Sequence, residues 1–250
     1  MTVITLLTDF GTADGYVAEM KGVLCGAAPD AVILDLSHDI GPQDVEMARL
    51  AVARYWQRFP AGTVHLVVVD PAVGSSRAAL AAFSEGRFLV GPDNGVLSPA
   101  LLVPTARAVQ LPVPAGAAST FHGRDVFAPA AAALARGAPL ESLGSAFAEP
   151  SIRRTPEPVR DKDGVLRGEV IAVDHFGNAV TNLVASRAGN VEVAGRTLAV
   201  RRTYMDADTG EALGVVGSHG LIEIAVRDGH AASLLGITRG AEVRWRAADG

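Results

Sequence analysis

The chain has 250 residues, of which 49% are hydrophobic and 20% charged, and this composition predicts an ordered globular protein with a substantial core. The formal net charge is −5 and no block of basic residues is present, which argues against a nucleic-acid-binding protein. The single cysteine, Cys25, excludes an internal disulfide and any zinc site built from cysteines, and we expect it to be buried.

The first residues, MTVITLLTDFG, lack the basic segment of a signal peptide and soon reach an acid, Asp9. No apolar run is long enough to span a membrane. We therefore expect a cytoplasmic protein that binds neither membranes nor nucleic acid.

The first part of the chain alternates strand-like and helix-like segments. The pattern predicts strands over residues 3–8, 31–36, 63–69 and 88–90, and helices over residues 16–27, 44–59 and 125–135. The third strand is apolar throughout, as expected for a strand covered on both faces. This alternation predicts an α/β, sandwich-like domain with a largely parallel sheet over residues 1–150.

The composition changes after this domain. Residues 151–164 are rich in proline and charge, which is typical of a linker. Short alternating runs follow at residues 168–173, 190–193, 198–204, 221–226 and 242–245. Because helical periodicity is weak there and turn residues separate the runs, we expect a smaller β-barrel domain over residues 165–250.

Acids follow three of the predicted strands. Asp9 comes after the first strand, Asp70 after the third and Asp93 after the fourth. Ligands of open parallel sheets bind outside the carboxyl ends of the strands, so this arrangement predicts a binding site. The alternative is that all three acids are turn or capping residues, positions that aspartate favours in any case.

The segment DPAVGSSR, residues 70–77, places Arg77 seven residues after Asp70, across a turn. The pair is either a salt bridge that pins the loop or a carboxylate that the guanidinium keeps ionised for chemistry. His122, in FHGRD, is structural if it stands alone. Beside the pair it adds a group that titrates near neutral pH, and Asp125 could cap the helix that follows.

Two segments of the second domain also combine polar side chains with glycine. DHFGNAVTN, residues 174–182, contains Asp174, Asn178 and Asn182, and it is either a bulged strand and turn or a binding site for a cationic ligand with hydrogen-bonding edges. GSHGLIEIA, residues 217–225, allows close backbone approach, and Ser218 can donate to a carboxylate.

Together these segments resemble the S-adenosyl-L-methionine (SAM) hydroxide adenosyltransferase family, hydrolases related to the SAM-dependent fluorinase and chlorinase. The resemblance implies an α/β N-terminal domain, a β-barrel C-terminal domain and a homotrimer with active sites at subunit interfaces. The matching stretches, in chain order, are TDFG (8–11), DGY (14–16), DLSHDI (35–40), DPAVGSSR (70–77), GPDNG (91–95), FHGRDVFAP (121–129), DHFGNAVTN (174–182) and GSHGLIEIA (217–225).

The resemblance also implies roles for residues of the first domain. Asp9 is similar to the acid that binds the 2′- and 3′-hydroxyls of the ribose. Asp70, Arg77 and His122 resemble the triad that orders and activates a water molecule. The expected reaction is attack of this water at C5′ of SAM, in line with the sulfonium, which gives adenosine and L-methionine.

In the second domain, the resemblance implies that Asp174 receives the ammonium group of the methionine moiety. Asn178 resembles the residue that reads the adenine edge, and Ser218 the residue that holds the methionine carboxylate. SAM is then the substrate, and neither a cofactor nor a metal is expected.

Several positions depart from the family pattern. Gln43 replaces an aromatic residue that lines the pocket of the halogenases, and Ala72 replaces the usual glycine after Asp-Pro. Gly217 and His219 differ from the residues that commonly flank the serine at position 218.

Three alternatives to SAM hydrolysis stay open. The first is halide-dependent adenosyl transfer, but the halogenating branch carries a tyrosine or similar group in place of Asp70 and an insertion that is absent after Gly95, so the hydrolase branch is favoured. The second is a metal-dependent hydrolase that uses Asp9, His38, Asp70 and His122, although these residues form no compact ligand motif. The third is non-catalytic binding of SAM or adenosine.

Overall fold

The computed structural model describes residues 2–184 and 189–248, and the chain divides into two compact units, Met1–Arg154 and Thr155–Gly250. Within those described ranges, no helix is both long enough and apolar enough to cross a membrane. The Ser151 N–H donates to Asp93 Oδ1 at 2.7 Å, and Arg153 Nε donates to the Asn94 carbonyl at 2.8 Å. The first residues of the predicted linker are therefore bound to the first unit.

The first unit is built on one mixed sheet with helices on both faces. Its strands are β1 (Val3–Thr8), β2 (Val32–Ser37), β3 (Val64–Val68), β4 (Ala79–Ser84), β5 (Arg87–Pro92), β6 (Arg107–Leu111) and β7 (Ser145–Ala146). Its helices are α1 (Tyr16–Ala27), α2 (Val45–Tyr55), α3 (Ser98–Leu101) and α4 (Ala128–Ala135). The strand order is β2-β1-β3-β5-β4-β6-β7, parallel from β2 to β5 and antiparallel beyond. The predicted largely parallel sheet is confirmed for the half that carries the acidic strand ends.

Side chains alternate between two apolar layers along the strands of this sheet. Leu6 of β1 packs in the same cluster as Met20 of α1 and Ala131 of α4. Leu7, the next residue, points to the opposite face and packs in a second cluster with Val52 of α2. Because successive strand residues face opposite sides, helices cover both faces and the sheet stays dry.

The second unit is a closed β-barrel. Its strands are β8 (Val159–Arg160), β9 (Leu166–Val173), β10 (Ala179–Val184), β11 (Gly189–Val193), β12 (Arg196–Arg201), β13 (Ala212–Val216), β14 (Leu221–Val226) and β15 (Glu242–Ala247), and the α-helix α5 spans Ala231–Leu235. In the part of the chain that the structure describes, seven strands run in the order β10-β14-β13-β12-β11-β15-β9, and β9 pairs again with β10. Strand β8 extends the edge at β9. The predicted barrel is confirmed.

Cys25 is exposed, so the expectation of a buried cysteine is wrong. The buried residues of α1 are Val17, Met20 and Leu24, which recur at helical spacing on one face. Cys25 directly follows Leu24, and one residue rotates a helix by about 100°, so its side chain points away from that face.

A buried histidine links β1 to β3. His65 is fully buried, its Nε2 donates to the Trp56 carbonyl at 3.1 Å, and its Nδ1 accepts from the Thr5 hydroxyl at 2.8 Å. Burial lowers the pKa of His65 from 6.5 to about 4; the bond to Trp56 opposes this shift and the charge of Arg87 reinforces it. The folded state therefore holds this imidazole neutral.

The depressed pKa predicts loss of stability in mild acid. As pH falls below 6.5 the unfolded chain takes up a proton before the folded one does, so His65 costs stability progressively down to its folded pKa of about 4, and little more below it. The full loss is about 3 kcal/mol. Urea denaturation at about pH 7.5 and about pH 4.5 measures how much unfolding free energy the protein loses in acid. We expect His65→Gln to lose less than the wild-type protein, because the contribution of His65 to that loss is then absent. An identical difference in both proteins would contradict the assignment.

Candidate active site

Three acids lie at one edge of the first sheet. Strands β1, β3 and β5 are parallel neighbours, and Asp9, Asp70 and Asp93 follow their carboxyl ends. The loops after parallel strands meet at the same edge, which is where open sheets of this type bind ligands.

Asp70, Arg77 and His122 form one connected group. Arg77 Nε donates to Asp70 Oδ1 at 3.0 Å and Arg77 Nη2 donates to Asp70 Oδ2, so the guanidinium grips the carboxylate with two bonds. The same Nη2 donates to His122 Nδ1 at 2.9 Å. The side chains of Asp70 and Arg77 are only 4% and 7% exposed. The structure thus brings together the three residues that the sequence assigned to catalysis.

The bond from Arg77 fixes the protonation state of His122. A guanidinium can only donate, so His122 Nδ1 must accept and the neutral ring carries its hydrogen on Nε2. Burial and the charge of Arg77 lower the pKa of His122, while the carboxylates of Asp70 and Asp125 oppose that shift. At neutral pH the imidazole is therefore uncharged.

The segment that follows His122 is fixed by a helical turn and by the bonds of Asp125. A π-helical turn, Gly123–Phe127, directly follows His122 and leads into α4, and such turns are frequent at functional sites. Asp125 does not cap this helix, because its carboxylate accepts from the Ala118 N–H at 2.8 Å and pairs with Arg124.

Arg77 retains one buried donor without a partner. Its Nη1 is buried and makes no hydrogen bond to any residue that the structure describes. The guanidinium carbon lies 5.2 Å from the ring centre of Phe127, which is fully buried and forms a cation–π contact with Arg77. A buried donor without an acceptor costs about 1–3 kcal/mol, so an acceptor oxygen bound beside Nη1 would be strongly favoured.

Asp9 is positioned by backbone groups around it. The Gln43 N–H donates to Asp9 Oδ2 at 2.7 Å, and Gln43 adopts a left-handed backbone with φ of 65°. Strain of this kind is common at binding sites, where it aims a backbone group. The Thr8 hydroxyl and His38 Nδ1 lie 2.8 Å apart, and Gly11 N–H donates to the His38 carbonyl, so the loop around Asp9 is tied at both sides.

His38 supports the loop around Asp9. Its Nε2 lies 3.0 Å from Asp35 Oδ1, and Lys21 Nζ lies 2.5 Å from Asp35 Oδ2. Burial raises the pKa of Asp35, but its contacts with Lys21 and His38 outweigh this and hold the pKa below its usual value. Across residues 2–184 and 189–248, no three His, Cys, Asp or Glu side chains are grouped to hold a metal ion.

The GPDNG segment binds its own chain. Asp93 accepts from Ser151, as described above, and Asn94 Nδ2 donates to the Val69 carbonyl at 2.9 Å. Asn94 Oδ1 accepts from the Val96 N–H. These bonds fix the backbone beside Asp70, so the acid at position 93 is a turn residue, as the structural alternative proposed.

In the second unit, Asp174 organises its own turn. Its Oδ1 accepts from the N–H groups of Phe176 and Asn178, and its Oδ2 accepts from Asn178 Nδ2 at 3.1 Å. The structure thus joins Asp174 to Asn178. Ser218 is exposed and its hydroxyl lies 3.1 Å from His219 Nδ1; within the described residues it makes no hydrogen bond to Asp174 or Asn178.

Two residues near this turn escaped the sequence analysis. Glu223 of β14 is buried, and the Tyr204 hydroxyl donates to its Oε2 at 3.2 Å. Burial raises the pKa of Tyr204, and the negative charges of Glu223 and Asp174 raise it further. The only sequence signal was a carboxylate between two isoleucines in GLIEIA, which equally fits a solvent-facing strand position.

Comparisons with known proteins agree with this arrangement. The models of the N-terminal and C-terminal domains of the SAM hydroxide adenosyltransferase family match residues 4–144 and 168–244. Curated proteins named (R)-S-adenosyl-L-methionine hydrolase are 42% identical in Thermus thermophilus, over 98% of this chain and 99% of the relative, and 42% identical in Salinispora arenicola, over 96% of each. Fluorinases match at 29% to 31% identity.

A solved structure of a conserved protein from Thermotoga maritima superimposes with a TM-score of 0.87 at 34% identity, and the match covers 97% of this chain and 99% of that one. Two family domains in the expected order, near-complete coverage and the two-unit fold all point to one assignment. The chain belongs to the SAM hydroxide adenosyltransferase family.

Proposed function

We propose that the protein hydrolyses SAM to adenosine and L-methionine by attack of water at C5′, in line with the sulfonium. Membership of the family and the name of the relatives that are 42% identical over nearly the full length support this reaction. The single observation that carries it is the connected group of Asp70, Arg77 and His122 at the ligand-binding edge of the sheet.

Each member of this group has a distinct task in the proposed mechanism. The attacking water hydrogen-bonds to the carboxylate of Asp70, which Arg77 Nε and Nη2 hold in place. Asp70 draws the proton of this water, and His122, neutral and hydrogen-bonded to Arg77, completes its orientation. The sulfonium leaves as a neutral thioether, so no acid has to protonate the leaving group.

The remaining side chains bind the substrate in this proposal. Asp9 receives the ribose hydroxyls through Oδ1, because Gln43 already occupies Oδ2. As the family resemblance implies, Asn178 hydrogen-bonds to the edge of the adenine, and the Ser218 hydroxyl donates to the methionine carboxylate. Positioning of this kind supplies up to about 7–11 kcal/mol of the barrier reduction in favourable cases.

We further propose that the reaction needs no cofactor, since the sulfonium is already activated, and that the protein acts in the cytoplasm as a homotrimer with active sites at subunit interfaces. Light scattering coupled to gel filtration tests the trimer. A monomeric mass with full activity would refute it.

Turnover in ¹⁸O-labelled water tests the reaction itself. We expect adenosine that carries one heavy oxygen at C5′ and unlabelled methionine, with a rate that is insensitive to chelator and to added halide. A 5′-halogenated nucleoside in chloride or fluoride would indicate adenosyl transfer to halide. Intact SAM after long incubation with stoichiometric protein would indicate a binding protein, and loss of activity with chelator a metal-dependent hydrolase.

A further inference from the structure

The loop between β3 and β4 is held at both of its ends by the GPDNG segment. This loop, residues 70–77, is the reactive loop of the proposed mechanism. Asn94 Nδ2 donates to the carbonyl of Val69, the residue that precedes the loop, at 2.9 Å. The Asp93 N–H donates to the carbonyl of Ala78, the residue that follows the loop, also at 2.9 Å. One short segment therefore closes the base of the reactive loop.

Arg153, in the predicted linker, fastens the GPDNG segment from the outside. Its Nε donates to the Asn94 carbonyl at 2.8 Å, and its backbone N–H donates to the Ser98 hydroxyl at 2.8 Å. Ser98 is fully buried and donates in turn to the Gly95 carbonyl at 2.6 Å. The carbonyls of Asn94 and Gly95 are thus both tied to Arg153, the first directly and the second through Ser98.

The stem of Arg153 packs closely on the backbone of Gly95. A Cβ at position 95 would lie 2.4 Å from Arg153 Cγ and 2.7 Å from Arg153 Cδ. Gly95 also has a φ of 91°, a conformation that glycine adopts without strain. The contact between the linker and the GPDNG segment is therefore a fitted one, although Arg153 itself is an exposed residue.

A short path of hydrogen bonds leads from Arg153 to the reactive loop. The Asn94 carbonyl accepts from Arg153, and the Asn94 side chain donates to Val69, the neighbour of Asp70. A bond at the surface adds little to the free energy of unfolding. Catalysis is more sensitive, because a misplacement of about 1 Å costs about a hundredfold in rate. The bond from Arg153 is therefore expected to act on turnover more than on stability.

We propose that Arg153 is a positioning residue for the hydrolysis. By holding Asn94 it keeps the Val69 end of the reactive loop in place, and with it the carboxylate of Asp70 that aims the attacking water at C5′. This inference rests on the proposed function, since it takes Asp70 as the group that orients the water. Because Arg153 acts through Asn94, its loss changes kcat and leaves the affinity for SAM as it is.

Two substitutions of similar length at position 153 test the inference. Arg153→Gln keeps the stem and places an N–H donor at the position of Nε, so only the charge is lost. Arg153→Met keeps a stem but has no donor. We expect Arg153→Met to lower kcat roughly tenfold, less than a full displacement of about 1 Å would, with Kd for SAM unchanged. Arg153→Gln should recover most of this loss. Arg154→Met, the same change at the next exposed residue, is the control.

Hydrogen exchange gives a second readout that does not depend on turnover. Within the reactive loop, the Val73 N–H donates to the Asp70 carbonyl and the Ser75 N–H donates to the Ala72 carbonyl. We expect mass spectrometry to show faster exchange over residues 70–77 in Arg153→Met than in the wild-type protein, because the loop then opens more easily. Thermal unfolding of the variants should stay close to that of the wild-type protein.

Several outcomes would overturn the inference. Wild-type kcat in Arg153→Met would show that the bond to Asn94 does not matter for turnover. Equal losses in Arg153→Met and Arg153→Gln would assign the effect to the charge, and a raised Kd would place Arg153 in contact with SAM.

The two readouts also separate this inference from the proposed function. A wild-type protein that leaves SAM intact refutes the hydrolysis, and exchange over residues 70–77 then decides whether Arg153 holds the loop: faster exchange in Arg153→Met supports that role and unchanged exchange overturns it. A wild-type protein that cleaves SAM, matched by Arg153→Met in kcat and in exchange, refutes the role of Arg153 alone.

Discussion

Replacing Asp70 with asparagine lowers kcat for SAM hydrolysis by roughly a thousandfold and leaves Kd for SAM nearly unchanged. The amide keeps the volume of the carboxylate but cannot take a proton from water. It also presents N–H to Arg77 at one of the two positions where the guanidinium now donates, so the two-bond grip on residue 70 is lost. Adenosine formation at saturating SAM gives kcat, and calorimetry gives Kd.

Asp93→Asn is the matched control for this experiment. Asp93 lies at the same edge of the sheet, but its carboxylate accepts from the backbone of Ser151 and takes no part in the proposed chemistry. We expect its kcat to stay close to that of the wild-type protein. Wild-type kcat in Asp70→Asn would remove Asp70 from the mechanism, and equal losses in both variants would show that any change at this edge is disruptive.

The placement of the three acids at one edge of the sheet was predictable, because it follows from the order of strands and acids along the chain. An apolar run that ends in an acid, as at Val68 and Asp70, fixes both the strand and the side of the sheet on which the acid lies. Six of the strands, the two-residue β7 and β8 and the longer β4, β6, β10 and β13, fall outside the predicted elements. Ala79–Ser84 is rich in alanine, and Ala179–Val184 places the polar pair Thr181 and Asn182 between apolar pairs, so neither has the apolar–polar alternation that marks a strand.

Other features depend on tertiary contacts that no local pattern encodes. The left-handed backbone of Gln43 aims an N–H at Asp9, 34 positions away, although glutamine does not favour that conformation. The burial of Glu223 depends on Tyr204, 19 positions away, and on the missing side chain of Gly217. The triad was within reach of sequence reasoning only through the family resemblance, since His122 lies 45 positions from Arg77.

Substitution of Gly74 by alanine is expected to damage both stability and catalysis. Gly74 lies in the loop between Asp70 and Arg77 with φ of 76°, and an added Cβ would lie 2.2 Å from the carbonyl oxygen of Ser119. The left-handed backbone costs an alanine about 1–2 kcal/mol, and the clash with a main-chain atom adds about 1–3 kcal/mol because neither backbone can yield without moving its loop. Displacement of Arg77 by about 1 Å would lower kcat about a hundredfold.

Gly62→Ala separates the clash from the strain. Gly62 has a similar φ of 84°, but nothing lies within 4 Å of the added Cβ, and the residue precedes β3 and not the reactive loop. Urea denaturation should show a loss of about 1–2 kcal/mol in Gly62→Ala and clearly more in Gly74→Ala, with kcat reduced only in the latter. Equal stability losses with wild-type kcat in both variants would mean that the loop over residues 70–77 adapts freely, and then the contact with Ser119 does not hold Arg77 against Asp70 and His122.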